Sequence, residues 1–159
     1  MNVEFSAENK KEFEKIVAKY PSERRRAALL PTLWLAQRQW GWISNEVMEY
    51  VAGLLELSPI KVLEVVTFYT MFNQKPVGKY HLQVCRTLSC EVCGKENIVS
   101  HLKNKLGIKL GETTADGKFT LTEVECLGSC GTGPMMQLND DFYESLTPEK
   151  VDEILGQLK

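Results

Sequence analysis

All five cysteines of this chain fall in two short stretches, Cys85-Arg-Thr-Leu-Ser-Cys90-Glu-Val-Cys93 and Cys126-Leu-Gly-Ser-Cys130-Gly-Thr-Gly-Pro134. Each stretch follows a strand-like run, so the fold is expected to bring two cysteine loops to one place, like the jaws of a clamp. An odd number of cysteines leaves one unpaired in any disulfide scheme. The N-terminal Met-Asn-Val-Glu-Phe-Ser is acidic and polar, not a signal peptide. No apolar run approaches the roughly 20 residues that cross a bilayer. The expectation is a soluble, cytosolic protein, a compartment where clustered thiols favour metal or redox chemistry over structural disulfides. With 19 basic and 21 acidic residues the net charge is −2, so no basic excess points to nucleic acid.

The 159 residues suit one full domain, or a small domain with a helical extension. The first half reads as helices. Ser6 can cap a helix reaching to about residue 20, with Phe13, Ile16, Val17 and Tyr20 on one face. Residues 22–40 form a second, which Pro31 interrupts or kinks, and Gly41 stops it. Ser44 starts a third, and Ser58-Pro59 a fourth that carries Val62, Leu63, Val65, Val66, Phe68 and Tyr69. Trp34, Trp40 and Trp42 are expected to fill the core of this bundle. The fourth helix is too apolar to be a DNA-reading helix, with only Lys61 as a base. Arg24-Arg25-Arg26 reads as a solvated face.

Asn73-Gln-Lys-Pro-Val-Gly78 is linker-like and sets a boundary, giving residues 1–75 and 76–159 as the expected domains. Tyr80, Leu82 and Val84 alternate with polar residues as a half-buried strand that runs into Cys85. A polar loop and a helix from about Gly94 to Leu106 follow, stopped by Gly107. Phe119 and Leu121 mark a strand leading to Cys126. Met135 to Leu138 and Phe142-Tyr143 form two more around an Asn139-Asp140 turn, and Thr147-Pro148 opens a last helix. The order β-α-β-β-β-α predicts an α/β sandwich with a small mixed sheet of thioredoxin-like type behind the helical bundle. His81 and His101 lie outside both cysteine stretches and read as surface or boundary residues.

Three chemistries compete for the thiols. A dithiol redox site on Cys90 and Cys93 leaves the other three unexplained. A structural zinc on Cys90, Cys93, Cys126 and Cys130 omits only Cys85. A [2Fe–2S] cluster needs two thiolates for each iron, which two jaws with two cysteines each supply. The cluster is anionic, so its sulfurs need backbone N–H donors, and Gly128, Gly131, Gly133 and Gly94 allow the tight bends that provide them. Spacing does not decide which cysteine of the first jaw is spare.

Cys85-x4-Cys90, Cys126-Leu-Gly-Ser-Cys130-Gly-x-Gly-Pro, Trp40-Gly-Trp-Ile and Glu64-Val-Val-Thr-Phe-Tyr-Thr-Met-Phe72 together resemble the [2Fe–2S] subunit family of respiratory complex I, the NADH–quinone oxidoreductase. The likeness extends over nearly the whole chain. It implies a thioredoxin-like ferredoxin domain behind a helical bundle, with Cys85, Cys90, Cys126 and Cys130 as ligands and Cys93 as a free thiol. It further implies a one-electron carrier in the peripheral arm of a membrane-associated complex. The partner it implies is a larger flavoprotein subunit that binds NADH and FMN and holds a [4Fe–4S] cluster. NAD-linked hydrogenases and formate dehydrogenases share the module, and the sequence pattern does not separate them. This chain has no glycine-rich nucleotide loop of its own, so oxidising NADH falls to such a partner.

Overall fold

The first helix starts where a side chain can replace a missing backbone acceptor: Ser6 Oγ accepts from the Asn9 N–H at 3.2 Å and opens α1 (Ala7–Val17). The computed structural model describes residues 3–158 and divides between Pro76 and Val77 into two compact units. In the first unit a 3-10 segment, Ser22–Ala28, leads into α2 (Leu29–Trp40), followed by α3 (Asn45–Leu55) and α4 (Pro59–Phe68). Gly41 ends α2 with φ +79°, a left-handed conformation that glycine adopts without strain, and Ser44 caps α3 through the Val47 N–H. Leu33, Ile43, Val51, Leu55, Val62 and Val66 are its fully buried anchors.

Three expectations for this unit change. Pro31 does not break a helix. It sits in the first turn of α2, where its missing N–H has no helical partner to lose, and the break lies upstream, at Arg24 (φ −117°, ψ 24°) and the hand-over from Ala28. The tryptophans do not fill the core. Trp34 and Trp40 are only partly buried against it, and Trp42 is half-buried outside it, because Leu33, Ala36 and Ile43 take the interior places. Trp40 instead stacks on Phe5 with ring centroids 5.3 Å apart. In α4 only Val62 and Val66 are buried, while Ile60 and Phe68 stand exposed. Of the arginine run, Arg24 and Arg26 are exposed, and Arg25 donates to the Leu54 carbonyl at the end of α3.

The second unit holds β1 (Tyr80–Cys85), α5 (Leu88–Val92), α6 (Lys95–Leu106), β2 (Phe119–Val124), β3 (Met136–Leu138), β4 (Asp141–Tyr143) and α7 (Pro148–Gln157). The four strands lie in the order β2-β1-β3-β4, with β1 parallel to β2 and antiparallel to β3, and β3–β4 a hairpin. This is the small mixed sheet expected. One element is new: α5 occupies the stretch read as a polar loop, because Leu88 to Val92 closes a turn from the Glu91 N–H to the Thr87 carbonyl. Leu82, Val84, Ile98, Val99, Leu102, Leu121 and Met136 form the core between sheet and helices. Among the described residues no helix is long and apolar enough to cross a membrane.

His81 on β1 bonds Thr122 Oγ1 through Nε2 at 2.8 Å, and burial pushes its pKa down to about 4. Its unfolded value is about 6.5, so above that pH the imidazole is neutral in both states and stability is fully present. As pH falls from about 6.5 toward 4, the unfolded chain takes up a proton that the folded chain refuses. Stability is lost across that window, by up to about 3 kcal/mol. Urea unfolding at a series of pH values should show the loss, and His81→Gln should remove most of it.

Candidate metal centre

Two parallel neighbours in a sheet end on the same side. Cys85, the last residue of β1, pairs in register with Val124, the last of β2, so the loops after both strands start side by side. The open end beyond the C-termini of parallel strands is where α/β folds build sites. From β1 the chain passes Arg86 and Thr87 into α5, which carries Cys90. From β2 it passes Glu125 into the loop with Cys126 and a 3-10 turn, Cys130–Thr132. The Cys85 N–H donates to the Met135 carbonyl at 3.2 Å and the Arg86 N–H to the Val124 carbonyl at 2.9 Å, which pins both loops to the sheet. Arg86 and Glu125 form an ion pair at the same edge.

The thiols come as two pairs. Cys85 and Cys90 are buried, packed with Met135 and touched by Leu127, and each sulfur shifts the pKa of the other. Cys126 and Cys130 are exposed, with sulfurs 3.6 Å apart. Two sulfurs on one tetrahedral ion at about 2.3 Å stand roughly 3.8 Å apart, so this pair already has the span to grip a single iron or zinc. Among the described residues no group of three or more His, Cys, Asp or Glu side chains is gathered to hold one ion. The thiols sit as two pairs, Cys85 with Cys90 and Cys126 with Cys130.

The pairs also reach across to each other. The Leu127 and Met135 amides of the second loop lie near enough to the sulfurs of Cys85 and Cys90 in the first to favour their thiolate forms. Thr87 Oγ1 lies 3.2 Å from Cys85 Sγ and also favours the Cys126 thiolate, while the Ser89 hydroxyl favours that of Cys130. The Gly128 N–H points at Cys126 Sγ from 3.4 Å, at a backbone φ of +84° that suits glycine. A Cβ at Gly133 would meet the Cys90 Cα and Sγ at 3.4 Å, ordinary van der Waals contact, so the second loop packs directly on the first at this point. Gly131 faces open space and has no such role.

Burial pushes the Cys90 thiol up, to about 11, and the adjacent Cys85 sulfur adds to this against the Met135 N–H. Burial also raises Cys85, but the hydroxyl and amide of Thr87 and the amide of Leu127 outweigh it and hold that thiol below its ordinary range. The Gly128 N–H above all lowers Cys126, and the Cys126 sulfur in turn raises Cys130. In each pair one sulfur moves down and its neighbour up, as two sulfurs sharing a proton do. Each jaw thus has one sulfur that gives up its proton more readily than an ordinary thiol, and the thiolate is the form that binds metal.

This donor set suits an anionic iron–sulfur group: four soft sulfurs in two pairs, met by amide and hydroxyl donors. The dithiol reading fits poorly, since Cys90 faces Cys85 while Cys93 is exposed at the end of α5. His81 bonds Thr122 and His101 bonds Asp152, so each histidine has a partner elsewhere. Sequence reasoning missed Thr87, Ser89 and Met135. Only the Cys-x-Thr adjacency hinted at Thr87, and the Met135 amide depends on a strand pairing that no local pattern reveals.

Residues 13–159 match the thioredoxin-like [2Fe-2S] ferredoxin family. The chain is 51% identical over 159 residues to an NADH-quinone oxidoreductase subunit of Rickettsia bellii, covering 99% of this chain and 95% of that one. It is 50% identical over 157 residues to the mitochondrial NADH dehydrogenase [ubiquinone] flavoprotein 2 of Dictyostelium discoideum, covering 98% of this chain and 64% of that one. Among solved structures, an air-oxidized NAD+-reducing [NiFe]-hydrogenase aligns with a TM-score of 0.72 at 20% identity, over 82% of this chain and 22% of the other, a likeness of fold.

Proposed function

Because this chain belongs to the thioredoxin-like [2Fe–2S] ferredoxin family, we propose that it is the electron-transfer subunit of an NADH–quinone oxidoreductase, with a [2Fe–2S] cluster on Cys85, Cys90, Cys126 and Cys130. The observation that carries this is the pair of thiol pairs at the ends of neighbouring parallel strands, Cys85 and Cys90 buried together beside Met135 and Cys126 and Cys130 with sulfurs 3.6 Å apart. A bound cluster supplies a one-electron couple. The chain's own residues do the rest. The buried pair and Met135 keep water from one side, and the exposed Cys126–Cys130 pair leaves the other side open to a partner. In this reading residues 76–159 are the cluster domain and residues 1–75 a helical extension in the peripheral arm.

The proposed partner is a flavoprotein subunit that binds NADH and FMN and carries a [4Fe–4S] cluster. Relatives about half identical over nearly the whole chain favour the quinone reductase over the hydrogenase, which shares only the fold. The test mixes the cluster-loaded chain with NADH. NADH alone should leave its visible absorbance unchanged, and adding the flavoprotein subunit of the same complex should bleach it. Failure to bleach with a flavoprotein that NADH has reduced contradicts the assignment.

Thr87 gives a finer test. Its hydroxyl lies 3.2 Å from Cys85 Sγ and also favours the Cys126 thiolate, so it acts on one sulfur from each jaw. A hydrogen bond that strengthens on reduction by about 0.5–1.5 kcal/mol raises a one-electron potential by roughly 20–60 mV. Thr87→Val keeps the shape and should shift the potential negative by about that amount, while Thr87→Ser should restore it. A redox titration followed by EPR measures both.

A further inference from the structure

Lys95 is a charged residue almost sealed from water, with a side chain 8% exposed. Its ammonium lies 2.9 Å from Glu91, 2.9 Å from Glu123 and 3.3 Å from Glu96. It also stands as the first residue of α6, behind Gly94. A lysine there runs against helix electrostatics, since the N-terminus carries partial positive charge. A residue that breaks a local rule inside a well-formed element signals a demand from elsewhere in the fold. The partners show that demand. Glu91 follows Cys90 directly on α5. Glu123 lies on β2, on the strand that delivers Cys126. One ammonium therefore ties the first cysteine loop to the root of the second.

We infer that Lys95 is a positioning residue of the metal centre, an ion-pair strut to Glu91 and Glu123 that sets the spacing of the two cysteine pairs. The inference rests on the cluster assignment above. A binuclear group fixes the distance between its two ions, so both pairs must hold position within about 0.5 Å. Hydrogen bonding to Glu123 above all keeps the ammonium charged, well above the usual lysine range. The third partner, Glu96, is its neighbour on α6 and is 63% exposed, so it adds charge without linking the jaws. That difference separates a strut from a mere charge balance.

The experiment compares Glu123→Gln, Glu96→Gln and Lys95→Met in the full chain. Iron and sulfide content of the parent is measured first: a parent without a [2Fe–2S] cluster defeats the functional reading itself. With a loaded parent, each variant is challenged with a ferrous chelator, bathophenanthroline disulfonate. Supporting partners of metal ligands are worth about 10–100-fold in affinity. Glu123→Gln should therefore lose iron about tenfold faster and change the EPR line shape of the reduced protein. Glu96→Gln should stay within about twofold of the parent, with the parent's spectrum. Lys95→Met should follow Glu123→Gln, and if it does not fold, the two glutamine variants still decide. The strut is overturned if Glu123→Gln releases iron at the parent's rate or keeps the parent's EPR line shape. It is equally overturned if Glu96→Gln releases as fast as Glu123→Gln.

Discussion

Cys126→Ser and Cys130→Ser each yield a chain that cannot keep a [2Fe–2S] cluster. The two sulfurs stand 3.6 Å apart, and the pair is the whole protein contribution to one iron in the proposed arrangement. A serine hydroxyl is a harder donor and does not ionise near neutral pH, so the pair drops from two thiolates to one. Both residues are exposed, so nothing in the core is disturbed and the loss is read cleanly. Iron and acid-labile sulfide per chain should fall on the order of tenfold or more, with the EPR signal of the reduced protein lost or altered. Cys93→Ser should retain cluster and spectrum, since that thiol is exposed outside the two pairs. A cluster kept in Cys85→Ser and lost in Cys93→Ser contradicts the ligand assignment.

Leu121→Ala lowers the stability of the chain by about 2–5 kcal/mol, the range for a leucine deleted from a close-packed interior. Leu121 is fully buried on β2, in register with Leu82 of β1 and within the cluster that includes Ile98, Val99 and Leu102. The methyl groups it loses leave a cavity between sheet and helix that neighbouring β1 cannot fill. Because β2 delivers Cys126, the cluster should become more labile in the same variant. The shift in urea midpoint, with an unchanged slope, measures the first effect. A change under about 1 kcal/mol would show that the interior collapses around the gap and that β2 is less tightly held than its burial implies.

Much of this molecule is legible in its local sequence. Helix starts at Ser6, Ser44 and Pro59 and stops at Gly41 and Gly107 follow from side chains acting within one turn. The strand patterns around Leu82 and Leu121 and the turn at Asn139 are equally local. What sequence reasoning misplaced depends on distant packing. Pro31 fits inside α2 because the helix begins at Leu29 and leaves it in the first turn, and the tryptophans yield the interior to Leu33 and Ile43. At the metal centre the cysteines were legible from spacing and glycines, but only Gly128 among those glycines donates to a sulfur. The other amides near the sulfurs come from Leu127 and Met135, and the strut runs from Lys95 on α6 to Glu123 on β2, all partners far apart in sequence that only the fold brings together.

Iron, sulfide and zinc counted per chain on the purified protein, beside its visible spectrum, test the central claim most directly. Two thiolate pairs around a binuclear group predict two irons and two acid-labile sulfides per chain, a brown-red colour, and no zinc. A colourless chain holding one zinc ion and no sulfide contradicts it.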